Sequence, residues 1–270
     1  MISIFNMDEL RHLQLVVLSI AKDIDTLCRE YNIHYFLGGG GAIGAVRHNG
    51  FIPWDDDLDF LMPYEDYERF VIISQEKLDQ NKYDVDRDLS PWALPCLKIR
   101  LKGTYIEEKG KRIEIGKCQG IFLDVFRLEH SPKSNLWKHL QYYSSKLLIA
   151  YHCKHIDYKT DDTRKNIVIR LSSLMNISGF RQFIKWTIFR WNKKDTKYLG
   201  CLWGITRLKN SFTACEIYGK PTYLPFEDTE LPLPEYYHEY LSQFFGDYMQ
   251  LPPIEKRVAP HILKIDFGQY

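Results

Sequence analysis

The sequence predicts an α/β chain: a mixed sheet core with flanking helices and a helical insertion. Three observations lead there. A glycine run, Gly38 to Gly41, lies between the apolar His34-Tyr-Phe-Leu37 and the helical pattern Ala42-Ile-Gly-Ala-Val-Arg47. Four aspartates, Asp55, Asp56, Asp57 and Asp59, crowd the next acidic stretch, and a lone aspartate, Asp124, interrupts the apolar run Gly120 to Phe126.

The elements follow in order. Leu10, Leu13, Val17, Ile20, Ile24 and Leu27 form one stripe at helical spacing, so residues 8–28 read as an amphipathic helix with Asp8 near its start. Residues 34–37 read as a strand, and the glycines turn it into a helix. Residues 57–61 read as a second strand, and residues 64–78 as a helix whose Glu65, Asp66 and Glu68 suit the positive N-terminal end. Short strands are expected over 83–85, 94–101 and 121–126. The pattern is helical over 135–191, mixed and turn-rich over 201–234, and helical again from Pro234 to Phe245, with proline suited to a first turn. No internal repeat or low-complexity linker interrupts this order. The expected division is a catalytic core over residues 1–130, a helical insertion over 131–200, and a C-terminal segment over 201–270 packing back on the core.

Carboxylates as close as Asp55 to Asp59 repel one another, and a fold that keeps them together calls for a cation. On a strand the side chains alternate, so Asp57 and Asp59 share a face, Asp55 joins them if the strand begins early, and Asp56 points away. Two such carboxylates suit Mg²⁺, a hard ion that fills its other positions with water and substrate phosphate. The implied substrate is a nucleotide or another phosphate ester. A solvated acidic turn is the competing interpretation, and Trp54, Leu58, Phe60 and Leu61 make a poor surface loop.

Glycines let the backbone approach a ligand, and free N–H groups at a helix N-terminus point at phosphate. The run fits neither the dinucleotide fingerprint nor the P-loop, and a hinge is its plain alternative. Asp124 in an apolar strand needs a partner, a proton or a metal; an ion pair to Arg127 or Arg100 is the structural alternative. Glycine turn, paired aspartates and a single carboxylate on a neighbouring strand together make the pattern of the nucleotidyltransferase-like fold.

A narrower resemblance lies in GGAIGAVRHNGFIPWDDDLDFLMPYEDYERF, Gly39 to Phe70. It resembles the signature of the LicD family of phosphocholine transferases, to which fukutin and the fukutin-related ribitol-phosphate transferases are also similar. Further segments match in the same order: Leu97-Lys98-Ile99, Gly103-Thr104 with Glu107, Gly120 to Phe126, Phe245-Gly-Asp-Tyr-Met249, Leu251-Pro-Pro253, Arg257 and His261. Two positions depart from it: Gly41 stands where threonine is usual, and Arg127 where proline often follows. The resemblance implies transfer of a substituted phosphate from a CDP-activated donor to a hydroxyl of a cell-surface glycan, with CMP leaving. In that scheme Asp57 and Asp59 hold Mg²⁺ (or Mn²⁺) on the pyrophosphate. Asp124 completes the metal shell or takes the acceptor's proton, and Asp55 is the reserve ligand or base. Gly39, Gly40 and Gly41 receive phosphate, and Arg47 or Lys98 neutralises the leaving CMP. His48 is either a base or a hydrogen-bonding scaffold. Transferases for CDP-glycerol or CDP-ribitol, a glycosyltransferase gripping a sugar nucleotide, and a non-catalytic nucleotide- or glycan-binding module are the alternatives.

Composition narrows the partners. The 270 residues are 45% hydrophobic and 26% charged with a net charge of +1, which excludes a disordered chain and argues against nucleic acid as a partner. The six cysteines lack C-x-x-C spacing and read as mostly buried thiols, and His152-Cys-Lys-His155 as an incidental cluster. The N-terminal residues show no basic segment followed by an apolar one, and the expected location is the cytoplasmic side. Between Thr163 and Lys194 stand eight lysines and arginines and no acid, interleaved with Phe180, Phe183, Trp186, Phe189 and Trp191. That pattern suits either contact with an anionic membrane, where a lipid-linked glycan acceptor would be met, or core packing with basic outer faces.

Overall fold

A computed structural model describes residues 7–108, 118–158, 160–204, 206–258 and 262–270. His261, named above with the family pattern, lies outside them. The first half runs α1 (Met7–Glu30), β1 (Phe36–Leu37), α2 (Gly39–His48), β2 (Asp59–Pro63), α3 (Tyr64–Lys77), β3 (Tyr83–Arg87), β4 (Cys96–Leu101), β5 (Tyr105–Glu108) and β6 (Phe122–Ser131). The second half runs α4 (Asn135–His155), α5 (Thr163–Leu171), α6 (Ser178–Phe189), β7 (Tyr198–Gly200), β8 (Phe212–Ala214), α7 (Cys215–Tyr218), β9 (Thr222–Phe226), β10 (Thr229–Leu233), α8 (Tyr237–Phe245) and β11 (Ile262–Asp266).

The sheet is mixed, in the order β1-β2-β6-β4-β3, with β7 continuing from the far end of β6 and β8 beside it. Strands β2 and β6 are parallel, and the other neighbours are antiparallel. Register follows from the apolar pattern: Phe60 lies beside Val125, which lies beside Leu97, and all three are fully buried. A slip of one residue would turn that row into charge, so the register is strongly specified.

Helix α1 buries its predicted stripe and adds Val16, Leu18, Ala21 and Cys28. Each large aliphatic side chain taken from water contributes on the order of 1.5–3 kcal/mol before the cost of ordering it. A second cluster, formed by Leu148, Tyr151, Met175, Ile184, Ile188, Leu202 and Trp203, joins α4 and α6 to the chain after β7.

Between these clusters lies a polar knot. Glu129, fully buried on β6, accepts from Arg127 Nε (3.0 Å), Asn192 Nδ2 (2.5 Å) and Trp203 Nε1 (3.1 Å), while Arg127 also pairs with Glu68. Arginine at 127 is therefore a bolt between α3 and β6. It is not a gap in the pattern.

Several expectations shift. The second strand begins at Asp59, later than expected, so Asp57 lies in the loop before it. The glycines are not a turn ahead of the helix; Gly39 to Gly41 are its first turn, with Gly38 as cap. The last helix begins at Tyr237, so Pro234 precedes it. All six cysteines are thiols, but only Cys28 is buried and the rest are half-buried.

Candidate active site

Parallel pairing of β2 with β6 sets Asp59 beside Asp124, and antiparallel pairing of β6 with β4 sets Asp124 beside Lys98. Cross-strand neighbours point to one face, so these side chains form a row across the sheet. Lys98 Nζ closes on both Asp124 oxygens, at 2.7 and 2.8 Å. The counter-ion of Asp124 is thus Lys98; Arg100 is engaged with Asp86, and Arg127 with Glu68 and Glu129. Burial alone would lower the Lys98 ammonium, but Asp124 and Glu108 outweigh it and leave it raised.

Asp55, Asp56 and Asp57 form the loop leading into β2, and their carboxylate oxygens lie within 4.8 Å of one another. Asp56, which strand alternation would have turned away, joins the others in the loop that precedes β2, and it is the most buried of the three. The loop is pinned from α1: buried Gln14 donates through Nε2 to the carbonyls of Ile52 (3.1 Å) and Asp55 (2.9 Å). Nothing in the sequence marked Gln14. It sits on the apolar stripe as one polar residue, and only the chain's return beside α1 gives it partners.

Asp59 feels the whole cluster. Burial pushes its carboxyl well above the usual carboxylate range, and the charges of Asp57, Asp124 and Asp55 push it further, with Lys98 opposing. Among the described residues, Asp55, Asp56 and Asp57 are the group able to hold a metal ion, and His152, Cys153 and His155 form no such group. His152 faces the Trp92 carbonyl, and His155 stacks on the Trp92 ring.

The helix α2 start closes the site. Its first internal bond is Ala42 N–H to Gly38 C=O (3.1 Å), so the amides of Gly39, Gly40 and Gly41 precede the helical ladder. Glycine is favoured here by conformation at Gly39 and by close side-chain neighbours at Gly40 and Gly41. Gly39 has φ +47°, a Cβ on Gly40 would lie 1.9 Å from Asp55 Oδ2, and one on Gly41 would lie 2.6 Å from Leu58 Cδ1. The last of these gives a local reason for glycine where threonine is usual.

At the other end of α2, Arg47 donates to the carbonyls of Tyr248 (2.7 Å) and Gln250 (3.4 Å), tying it to the C-terminal segment. Its Nε donates to His48 Nε2 (3.0 Å), which occupies that ring nitrogen. Burial and Arg47 together lower the His48 pKa, so the ring is neutral at pH 7. Arg257 lies over Trp54 (5.3 Å to the ring centre), and burial with the nearby Arg257 charge lowers Arg47.

The nucleotidyltransferase-domain family described as LicD/FKTN/FKRP matches residues 32–156, the span that holds the glycines, all five aspartates and Lys98. The chain is also 32% identical over 266 residues to the lipopolysaccharide cholinephosphotransferase LicD of Haemophilus influenzae, covering 94% of this chain and 96% of that protein. The chain belongs to the LicD family. Shorter matches link it to two uncharacterized proteins. One, from Rickettsia typhi, is 44% identical over 54 residues (20% of this chain, 18% of that protein), and the other, from Rickettsia prowazekii, is 47% identical over 47 residues (17% and 18%). In this member of the LicD family, the acidic loop and the head of β2 lie against the start of α2, with the first residues of β6 beside β2.

Proposed function

We propose that this chain is a metal-dependent transferase that moves phosphocholine, or a similar phospho-alcohol, from a CDP-activated donor to a hydroxyl of a glycan and releases CMP. Similarity to a lipopolysaccharide cholinephosphotransferase along nearly the full length of both proteins supports that class. The observation that carries it is the gathering of carboxylates, Asp55 to Asp57 with Asp59 and Asp124, against the first turn of α2.

A divalent cation fits this set: hard oxygen donors in excess of the cation, Lys98, that opposes them at Asp59. Asp57, Asp59 and Asp124 would hold Mg²⁺, or Mn²⁺, with Asp55 and Asp56 adjoining. When bound, the ion neutralises charge on the donor's phosphates. The protein's own groups do the rest by position. Amides of Gly39 to Gly41 donate to a phosphate oxygen at the positive end of α2. Lys98, held protonated, fixes the Asp124 carboxylate by its ion pair, and Asp124 either completes the metal shell or accepts the acceptor hydroxyl's proton. The acceptor oxygen bonds to the phosphorus bearing the alcohol, the bond from that phosphorus to CMP breaks, and the electron pair leaves with CMP. Arg47 and Arg257, two cations drawn together, receive the CMP phosphate, with His48 orienting Arg47. In this scheme residues 1–130 are the catalytic core, 131–200 the insertion, and 201–270 the segment that returns to brace α2 through Arg47.

The test is incubation with CDP-choline, CDP-glycerol or CDP-ribitol, Mg²⁺ and a glycan acceptor. CMP release that depends on metal and acceptor is expected for at least one donor. Absence of CMP from all three, or release of a nucleoside diphosphate from a sugar nucleotide, contradicts the proposal.

A further inference from the structure

Helix α5 has no buried residue, although it carries Ile167, Val168 and Leu171, which are 52%, 44% and 59% exposed. A helix with apolar side chains and nothing covering them has an unfilled contact. The exposure continues through Leu174 and Ile177 to Phe183 and Trp186 on α6. Phe183 stacks on Trp186, and Trp186 meets Trp137 of α4 edge-on, so the aromatic part of this surface bridges two helices.

The charges are as one-sided as the apolar groups. Arg164, Lys165, Arg170, Arg181, Lys185, Arg190, Lys193 and Lys194 all lie between Thr163 and Lys194, where no acid occurs. Among the described residues, none of the eight forms an ion pair within 4 Å, and the acid whose charge reaches one of them is Asp88, near half-buried Lys185. The flanking Asp162 is occupied as the cap of α5, accepting from the amides of Arg164 and Lys165. Arg190 lies over Trp186 (3.9 Å) and Trp137 (4.6 Å), so its stem follows apolar surface while its charge faces aromatic rings.

We infer that α5, α6 and the turn between them form a docking surface for an anionic lipid bilayer. Unpaired cations of one sign supply attraction to acidic headgroups, and exposed tryptophan, phenylalanine and aliphatic side chains supply insertion to the level of the acyl boundary. Among the described residues no helix is long and apolar enough to cross a membrane, so this is contact along a surface. Nucleic acid would use the cations but leave the aliphatic groups uncovered. The inference does not rest on the proposed transfer reaction, since binding is read without turnover.

The experiment is vesicle sedimentation with the full chain, comparing phosphatidylcholine alone with phosphatidylcholine containing phosphatidylglycerol, each at low and high salt. Binding to the anionic vesicles at low salt, lost at high salt and on neutral vesicles, is expected. Arg164→Glu with Lys165→Glu should weaken it at least about tenfold, because each cation near such a surface contributes a several-fold gain. Acid in the first turn of a helix with no buried residue leaves the fold intact. Phe183→Ser with Trp186→Ser should weaken binding even to anionic vesicles. Absence of sedimentation at low salt, equal binding to neutral vesicles, or indifference to the Glu pair overturns the inference. So does a dimer in solution that the Ser pair dissociates while vesicles remain unbound.

Discussion

Asp124 and Glu129 lie on the same strand and both leave bulk water, yet their surroundings are opposite. Glu129 is ringed by donors: burial raises its carboxyl above the ordinary range, and Arg127, Asn192 and Trp203 each pull it back down. Asp124 lies beside Asp59, whose carboxyl is pushed up by burial and by the charges of Asp57 and Asp124, and Lys98 is the cation that closes on Asp124. A satisfied buried carboxylate specifies packing; a crowded one stores repulsion that a ligand can relieve. Sequence alone cannot separate them, since each is an acid in an apolar strand.

Five substitutions sharpen this contrast. The largest effect belongs to Asp57→Asn and Asp59→Asn, each expected to cut turnover by roughly a hundredfold or more with the fold intact. CMP release and circular dichroism together check this, and near-normal activity in either variant breaks the assignment.

At the other end of β6, Glu129→Gln should do the reverse. It leaves Arg127 with Glu68 alone and turns an amide toward Asn192, costing about 2–4 kcal/mol in urea unfolding. Activity per folded molecule should survive. Loss of turnover without loss of stability would erase the distinction between the two ends.

Asp124→Asn mixes both behaviours. It should abolish turnover and, because it strands the Lys98 ammonium, also cost about 1–3 kcal/mol. The sequence taken alone suggests that removing a buried charge is free or stabilising; the 2.7 Å pair with Lys98 reverses that expectation. Adding Lys98→Met to Asp124→Asn should recover most of the stability and none of the activity, which a double-mutant cycle measures.

The smallest effect is that of Gln14→Ala, which removes two hydrogen bonds to the acidic loop for about 1–2 kcal/mol. Its signature is a weaker apparent affinity for Mg²⁺ in the activity assay, with maximal turnover approached at high Mg²⁺. Unchanged metal dependence would mean that the loop holds its shape without α1.

Local patterns were legible. The stripe of α1, the acidic start of α3 and the apolar alternation around Asp124 follow from spacing within single elements, and the glycines and aspartates pointed to the candidate site. What escaped was set by contacts between distant segments. Strand β2 begins at Asp59 because its pairing with β6 begins there, and Asp56, in the loop before it, gathers with its neighbours. The partner of Asp124 is fixed by the register of β4, on which Lys98 rather than Arg100 falls opposite. Gln14 and Glu129 acquire their roles only when α1 and the chain around Asn192 and Trp203 arrive beside them.

The central claim, that Asp59 belongs to a repelling cluster built for a cation, is tested most directly by melting temperatures with and without Mg²⁺ across pH. With its pKa raised in the fold, the stability Asp59 contributes is present below the ordinary carboxylate pKa of about 4 and is lost as pH rises through the higher folded value. The metal-free protein should therefore lose stability toward neutral pH, regain it with Mg²⁺, and show neither response in full once Asp59→Asn is made, a variant that at neutral pH should melt at or above the metal-free original. Were Asp59→Asn to melt well below the original without metal, with Mg²⁺ shifting neither protein, Asp59 would be a satisfied structural carboxylate like Glu129.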